Sequence, residues 1–446
     1  MTQAINAYCH RTKMKVKISG GSAQDIFESI RELTNNGLLK AEDSLPSVRE
    51  LAEQLSVNRN TVSAAYQRLT KAGIAVTRGR LGTSICQEPK AGEQEGMTDT
   101  ALFDLADGSP RREWLPDLNK VASLTRLDQF LYGEATMLPQ IYEYGKTWFA
   151  GACPQDFDIT LCNGAIDTLE RMMAAHLVPG DKVVVEDPCY ISSANAIRLA
   201  GMQVLGAAID EYGMHPDALR TALEKGGKAV LITPRAHNPT GASLSAERAT
   251  QLRGVLSDYP GVLVMEDDHF SLLAETEHHS VIPDSTYNWA VFRSVSKGLG
   301  PDLRMAFVAA NKESIKRINT RLAPGMSWVS RVLQSLVYTC LTTEVFQQHL
   351  SEAKENCARR RNILVDALKE QGIDTGKKTD GLNIWIPVGG DCQAAAYSLS
   401  RKGWLVRPST NFDIDEVSQA VRVSTQNLEE NTASLFAKYI ATIIQN

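Results

Sequence analysis

Near the N-terminus, apolar residues recur every three or four positions in three short stretches, which is the spacing of one buried helical face. The first stretch spans 22–36 and stops before Gly37, a residue suited to a helix end. The second starts at Leu45-Pro46-Ser47, and the third follows the turn Ser56-Val57-Asn58 and ends at Gly73. Two short helices joined by a tight turn form a helix-turn-helix. We therefore predict three helices, the last two forming this motif.

The third predicted helix carries polar residues suited to DNA contact. Its free side holds Arg59, Asn60, Thr61, Ser63 and Gln67, mostly near its N-terminus, where recognition helices place base-reading side chains. The next segment, 76–85, predicts a β-hairpin with two arginines at its tip. Residues 1–90 contain 13 Lys and Arg against 8 Asp and Glu, although the whole chain has a net charge of −5. This asymmetry favours a nucleic-acid-binding domain, the alternative being a small three-helix protein-binding domain.

From about residue 104, strand-like apolar runs alternate with helical stretches, which predicts an α/β fold with a parallel sheet. The clearest predicted strands are Val183–Val185, Val230–Ile232, Val262–Met265 and Ala290–Val295. Residues 87–103 are polar, contain glycine and lack periodicity, so they predict a linker. The predicted organisation is a DNA-binding domain at 1–86, a linker at 87–103 and an α/β domain at 104–446.

Composition narrows the class of protein further. The chain of 446 residues is 43% hydrophobic and 22% charged, as expected for an ordinary globular protein. It has no run of eighteen apolar residues and no signal-peptide pattern at its N-terminus. Its eight cysteines are scattered without metal-ligand spacing. We therefore expect a cytoplasmic protein with reduced thiols, no metal site and no membrane partner.

The segment 294–304 has the residue types needed to bind an aldehyde that carries a phosphate. The Lys297 amine can form a Schiff base with an aldehyde. The hydroxyls of Ser294 and Ser296 and the guanidinium of Arg304 can hold a phosphate. Pyridoxal 5'-phosphate (PLP) carries both groups. Taken alone, an ordinary surface lysine in a polar loop explains this segment equally well.

Loops after the other predicted strands supply matching groups. Tyr190 can lie against a ring, Asn238 can donate to a phenolic oxygen, and Asp267 can pair with a protonated pyridine nitrogen. Gly164 and Ala165 precede a predicted helix, whose N-terminus suits a phosphate. Each residue also has an ordinary explanation, such as a core tyrosine, an Asn-Pro turn or a helix cap. Their order along successive strand ends favours a PLP site.

Residues 20–86 closely resemble the winged helix of GntR-type bacterial regulators. The resemblance is carried by Leu45-Pro-Ser-Val-Arg-Glu-Leu-Ala, Asn58-Arg-Asn-Thr-Val and Arg78-Gly-Arg-Leu-Gly-Thr. It implies a double-stranded DNA operator as partner. It also implies DNA contacts from Arg49, Arg59, Thr61 and Arg80, with Gly82 shaping the wing.

Residues 106–446 resemble the fold-type I, class I aminotransferases, which are PLP-dependent. The resemblance implies that Lys297 is the Schiff-base lysine, Asp267 the partner of the pyridine nitrogen, Asn238 the donor to the ring hydroxyl and Tyr190 the stacking residue. It assigns the phosphate to Gly164, Ala165, Ser294, Ser296 and Arg304, and a ligand carboxylate to Arg422. A winged helix, a linker and such a domain in this order resemble the MocR/GabR subfamily of regulators, PtsJ-type members being among the more similar ones. This resemblance also implies a homodimer.

The chain departs from the aminotransferase pattern on the amino-acid side of the site. His269, which we include among the expected cofactor contacts, replaces the usual tyrosine. Arg422 is followed by Val-Ser-Thr rather than the usual Leu-Gly-Phe. We therefore expect a transcriptional regulator in which PLP, or a PLP–amine adduct, modulates operator binding, with at most residual half-transamination and no assigned catalytic residue. The alternatives are an active aminotransferase carrying a DNA-binding domain and a cofactor-free dimerisation scaffold.

Overall fold

The chain divides into two compact units, Met1–Lys90 and Ala91–Asn446. The computed structural model describes residues 17–40, 43–72, 74–77, 82–85, 100–154, 156–323, 325, 328–376 and 379–445. Within these ranges, no helix combines the length and the apolar character that a membrane span requires. The predicted Arg80 contact, the hairpin tip and most of the predicted linker lie outside the described residues.

The first unit contains the three predicted helices and a short hairpin. The helices are α1 (Ala23–Asn35), α2 (Val48–Leu55) and α3 (Arg59–Lys71), and the antiparallel strands are β1 (Ala75–Thr77) and β2 (Thr83–Ile85). Side-chain caps explain where the helices begin, because Ser22, Ser47 and Asn58 each accept a hydrogen bond from a backbone N–H of the first turn. The predicted helix-turn-helix is confirmed.

The core of this unit explains why its helices pack as they do. Ile26, Ile30, Leu51 and Leu69 are fully buried where the three helices meet. Tyr66 of α3 is also buried, and its hydroxyl donates to the Pro46 carbonyl at 2.7 Å. This bond fixes α3 against the start of α2, so that the polar side of α3 faces outward.

The second unit is built on an eight-stranded sheet of order β4-β11-β10-β9-β8-β5-β6-β7. Neighbours from β10 through β9, β8 and β5 to β6 pair in parallel, whereas β11, β4 and β7 pair antiparallel. The strands are β4 (Asp158–Cys162), β5 (Lys182–Asp187), β6 (Gln203–Asp210), β7 (Gly213–Met214), β8 (Gly227–Ile232), β9 (Leu263–Asp267), β10 (Trp289–Ser294) and β11 (Ala306–Ala310). The α/β prediction and its four strands are confirmed.

Helices cover both faces of this sheet. Alternate residues of one strand therefore enter two hydrophobic clusters, as Val183 and Val184 of β5 do. These helices are α4 (Leu118–Leu124), α5 (Pro139–Phe149), α6 (Ala165–His176), α7 (Ile191–Leu199), α8 (Pro216–Glu224), α9 (Ala246–Ser257), α10 (Ser296–Leu299), α11 (Lys312–Leu322) and α12 (Arg331–Thr342).

The C-terminal part of this unit forms a smaller layer with its own core. A short strand from the start of the unit, β3 (Phe103–Asp104), pairs in parallel with β13. The pairing includes Phe103, one residue before the predicted domain start at 104. The Phe103 ring packs edge-on against the Trp404 ring, with 5.1 Å between the ring centres. The other elements are α13 (Glu344–Glu370), β12 (Asn383–Pro387), α14 (Cys392–Ser400), β13 (Trp404–Leu405), β14 (Arg407–Pro408), β15 (Ala420–Ser424) and α15 (Glu430–Ile444).

Candidate functional site

A cavity lies at the carboxyl ends of β4, β5, β8, β9 and β10, where open α/β sheets bind their ligands. All ten residues predicted to contact a cofactor line it, namely Gly164, Ala165, Tyr190, Asn238, Asp267, His269, Ser294, Ser296, Lys297 and Arg304. Because they come from five strand ends spread over 140 residues of sequence, only the fold brings them together. Their individual roles remain predictions.

One end of the cavity has the features of an anion site. Gly164 caps the N-terminus of α6 with a φ of 103°, a left-handed conformation that favours glycine. A side chain there would meet Arg304, because an added Cβ would lie 3.1 Å from Arg304 Nη2. Arg304 Nη2 donates to the Asn163 carbonyl at 2.8 Å, and the hydroxyls of Ser294 and Ser296 lie 2.9 Å apart. The helix N-terminus, guanidinium and hydroxyls together fit a phosphate.

The cavity is also lined by a buried carboxyl group without a hydrogen-bond partner on one oxygen. Asp267, at the end of β9, is 8% exposed, and no described residue donates to its Oδ1. Burial and the neighbouring Asp268 raise the pKa of Asp267 to about 8, and Lys297 opposes both effects. A buried carboxylate is costly unless a cation pairs with it. A protonated ring nitrogen fits this position.

Asn238 and Arg422 form a buried pair beside this carboxyl group. Arg422 is fully buried behind Asn238, and its Nη1 donates to Asn238 Oδ1 at 3.1 Å. Its Nη2 donates to the Ala106 carbonyl. Asn238 Oδ1 is therefore used within the protein, and the donor role of the Asn238 amide nitrogen stays a prediction. The carboxylate-binding role of Arg422 also stays a prediction.

Lys297 lies on the cavity wall with its amine held by the backbone. Nζ donates to the Gly108 carbonyl at 2.6 Å. Burial lowers the pKa of Lys297, although the carboxyl groups of Asp107 and Asp267 oppose that shift. A lowered pKa increases the fraction of neutral, nucleophilic amine at neutral pH. The environment of Lys297 therefore suits condensation with an aldehyde.

Two aromatic residues complete the predicted set. Tyr190 lies just before α7 on the cavity wall, and burial raises the pKa of its hydroxyl. Burial lowers the pKa of His269 to about 4, so its ring is neutral at pH 7. A neutral imidazole at this position adds no positive charge beside Lys297.

The cavity is also lined by Glu186 and His237, a buried pair for which the sequence predicted no role. Glu186 Oε2 accepts from the Thr233 backbone N–H at 3.0 Å and lies 3.3 Å from His237 Nε2. Burial raises the pKa of Glu186 to about 8 and lowers that of His237 to about 3, so both groups are uncharged at neutral pH. Glu186 lies near the end of β5 and His237 in the loop after β8, so their position at strand ends was the available signal in the sequence.

The predicted DNA contacts of the first unit lie at its exposed helical surface. Arg59 is exposed at the start of α3, and Thr61 is half-buried two residues later, in the first turn. Arg49 is exposed on α2 and pairs with Glu53 at 3.1 Å. Such an exposed pair contributes only about 0.3–0.5 kcal/mol to stability, so breaking it to free Arg49 for DNA would cost little. Gly82 has a φ of 85°, which glycine adopts without strain.

Two family models match the chain. Residues 154–440 match the model described as "Aminotransferase class I and II", and residues 22–85 match "Bacterial regulatory proteins, gntR family". A Salmonella typhimurium protein, "Vitamin B6 salvage pathway transcriptional repressor PtsJ", is 44% identical over 94% of this chain and 98% of its own length. The Escherichia coli "Uncharacterized HTH-type transcriptional regulator YdcR" is 26% identical over 84% of this chain and 88% of its own.

Solved structures with the same fold are aminotransferases. A Pyrococcus horikoshii kynurenine aminotransferase, solved in complex with PMP, superposes with a TM-score of 0.69 at 21% identity, over 78% of this chain and 91% of that one. LysN from Thermus thermophilus, an α-aminoadipate aminotransferase complexed with N-(5'-phosphopyridoxyl)-L-leucine, gives a TM-score of 0.65 at 20% identity, over 78% and 92% of the two chains. At these identities the likeness establishes the fold.

The raised pKa of Asp267 predicts how stability depends on pH. In the unfolded chain the Asp267 carboxyl group has its ordinary pKa of 3.8, and in the cavity its pKa is about 8. Between these values the folded protein holds a proton that the unfolded chain has released, so the free energy of unfolding falls as pH rises. As the pH rises from about 5 to 8, we expect the free energy of unfolding of ligand-free Asp267→Asn to fall less than that of wild type. Urea unfolding at several pH values measures this.

Glu186 contributes a slope of the same sign, because its pKa is also raised to about 8. Glu186→Gln therefore serves as a second variant with the same expected direction. An identical pH dependence in wild type and Asp267→Asn would show that Asp267 is not protonated in the ligand-free cavity.

Proposed function

The chain belongs to the aminotransferase class I and II family and carries a gntR family domain, and on this basis we propose that it is a transcriptional regulator controlled by PLP. The observation that carries the proposal is one cavity lined by Lys297, by Asp267 with its unpartnered Oδ1, and by the residues of the anion site. PLP carries an aldehyde that suits the amine, a ring nitrogen that suits the carboxyl group and a phosphate that suits the anion site.

In this proposal each residue has a separate task. Lys297 binds the aldehyde covalently, Asp267 pairs with the ring nitrogen, and the Asn238 amide donates to the ring hydroxyl. Tyr190 packs against the ring, with His269 nearby as a neutral contact. Bound PLP supplies an aldehyde and an electron-withdrawing ring. The phosphate is held by Gly164, Ala165, Ser294, Ser296 and Arg304.

We propose that PLP is the effector as well as the ligand. PLP is a form of vitamin B6, and the 44% identical relative is named as a repressor of vitamin B6 salvage. An effector acts only if it binds the DNA-competent and DNA-incompetent arrangements with different affinity. A PLP–amine adduct is the second possibility, since a small amine can react at the same lysine.

A short segment provides a physical route for this control. The carbonyl of Ala106 accepts from Arg407 at 3.1 Å and from Arg422, and the carbonyl of Gly108 accepts from Lys297. If PLP bound Lys297 covalently, the Lys297 amine would no longer be available to donate to Gly108. Because residues 106–108 begin three residues after the end of the predicted linker at 87–103, ligand occupancy could change how the linker is anchored.

We propose that the protein catalyses at most residual half-transamination. Arg422 is engaged by Asn238 and Ala106, and His269 replaces the usual tyrosine. An active aminotransferase with a DNA-binding domain remains the second candidate, because Lys297, Asp267 and Asn238 are all present in the cavity.

We further propose that the protein is a cytoplasmic homodimer that binds a double-stranded operator. Two-fold symmetry would match two operator half-sites. The stretch between α4 and α5 exposes Leu127, Leu131 and Tyr132, the last at 94%. Exposed apolar side chains grouped in one stretch suit contact with a second copy.

The first prediction concerns the covalent site. Wild type mixed with PLP should develop a visible absorbance band and, after borohydride reduction, gain the mass of PLP on the peptide containing Lys297. Lys297→Ala should show neither change, because it lacks the amine. Lys228→Ala is the matched control, since Lys228 lies exposed at the opposite end of β8. A PLP-loaded wild type without the band would contradict the proposal.

The second prediction concerns DNA. On a DNA site selected by the wild type from random sequences, Arg59→Ala should cost roughly 1–3 kcal/mol of binding free energy if Arg59 contacts a base edge. Adding Arg80→Ala should also reduce the salt dependence, because a phosphate contact is lost. Fluorescence anisotropy at several salt concentrations measures both effects. Arg31→Ala on α1 is the control, and unchanged affinity in the double variant would refute these contacts.

A further inference from the structure

Directly beside Asp267, a second aspartate is shared by two arginines. Asp268 is fully buried. Arg235 donates to both of its carboxylate oxygens, from Nε at 2.7 Å and from Nη2 at 2.8 Å. Arg293 Nε donates to Oδ2 at 2.9 Å. We call these three residues the Asp268 cluster.

Each member of the cluster belongs to a different segment that lines the cavity. Asp268 stands between Asp267 and His269. Arg235 lies three residues before Asn238, and Arg293 lies immediately before Ser294. The cluster therefore joins the segments that carry the proposed ring-nitrogen partner, the proposed ring-hydroxyl donor and part of the proposed phosphate site.

The remaining groups of both arginines are fixed as well. Arg235 Nη1 donates to the Thr276 carbonyl at 2.9 Å. Arg293 donates to the Trp148 carbonyl, and its guanidinium lies 4.6 Å from the centre of the Phe149 ring. A planar guanidinium held at several points tolerates little displacement, and the two cations keep the buried carboxylate ionised. Although burial alone would raise it, the pKa of Asp268 is lowered through its contacts with Arg235 and Arg293.

We propose that Asp268, Arg235 and Arg293 are positioning residues that set the spacing of Asp267, Asn238 and Ser294 for PLP. This inference rests on the proposed function, because it assumes that PLP occupies the cavity. The cluster acts through other residues and need not touch the ligand. Removing one arginine should therefore lower the affinity for PLP by more than the accompanying loss of folding stability explains.

A second ion pair in the same unit provides a control that distinguishes an effect on PLP binding from an effect on folding stability. Arg248 contacts Asp210 through two bonds of 2.9 and 2.7 Å and donates to the Gly213 carbonyl at 2.9 Å. Its side chain is 11% exposed, the same as that of Arg235. Arg248–Asp210 lies at the β6–β7 end of the sheet, away from the cavity. Arg248→Met therefore removes an arginine of equal burial from a two-bond pair without disturbing the cofactor segments, although the Asp210 side chain is 41% exposed whereas that of Asp268 is fully buried.

The experiment compares full-length wild type, Arg235→Met, Arg235→Lys and Arg248→Met. Titration by absorbance gives the PLP dissociation constant, and a pH titration of each PLP-loaded protein gives the midpoint of its visible band. We expect Arg235→Met to weaken PLP binding roughly 10- to 100-fold, the range seen when residues that orient metal ligands are mutated, and to shift the midpoint. Arg235→Lys should recover part of the affinity, and Arg248→Met should match wild type in both measurements.

Thermal unfolding of the PLP-free proteins shows whether the two methionine variants lose similar stability. Equal PLP affinity and equal midpoints in Arg235→Met and Arg248→Met would overturn the positioning role while leaving the proposed function intact. If Arg235→Met does not fold, unchanged affinity and midpoint in Arg235→Lys would overturn it equally. Absence of PLP binding by wild type would overturn the proposed function, and the positioning role with it.

Discussion

The site depends on one unfavourable arrangement, a carboxyl group buried at the end of β9 with one oxygen that no described residue satisfies. Burying a carboxylate without a cation is costly, so the ligand-free protein retains a proton on Asp267. A ligand with a protonated ring nitrogen removes that cost. The adjacent Asp268 shows the contrast, because two arginines already satisfy it. Of two neighbouring aspartates, one is paired within the protein and the other is left for a ligand.

The sheet makes this contrast possible. Asp267 is the last residue of β9 and Asp268 the first residue after it, and at this strand end the two side chains meet different surroundings although they are adjacent. The parallel strands β9, β8 and β5 end at the same edge and bring Asp267, Asn238 and Glu186 to one cavity. The family relationship to class I and II aminotransferases accounts for the shared framework.

The sequence predicted the parts that depend on local pattern. Apolar runs located β5, β8, β9 and β10, and eight of the ten predicted cofactor contacts lie at or just after the ends of these strands, while Gly164 and Ala165 follow β4. It did not predict partners that are distant along the chain. Glu266, Asp267 and Asp268 look alike in the sequence, and only the fold shows that Arg235 and Arg293 pair with Asp268 alone. The contact from Lys297 to the Gly108 carbonyl spans 189 residues, which no local pattern can indicate.

We propose that PLP bound at Lys297 changes the affinity of the winged helix for DNA. The operator dissociation constants of wild type without PLP, wild type with PLP, and Lys297→Ala with PLP test this directly. The two wild-type forms should differ by about 1–3 kcal/mol, the usual range for coupled sites, and Lys297→Ala should behave like the PLP-free protein. Equal affinity in all three would show that PLP does not control DNA binding.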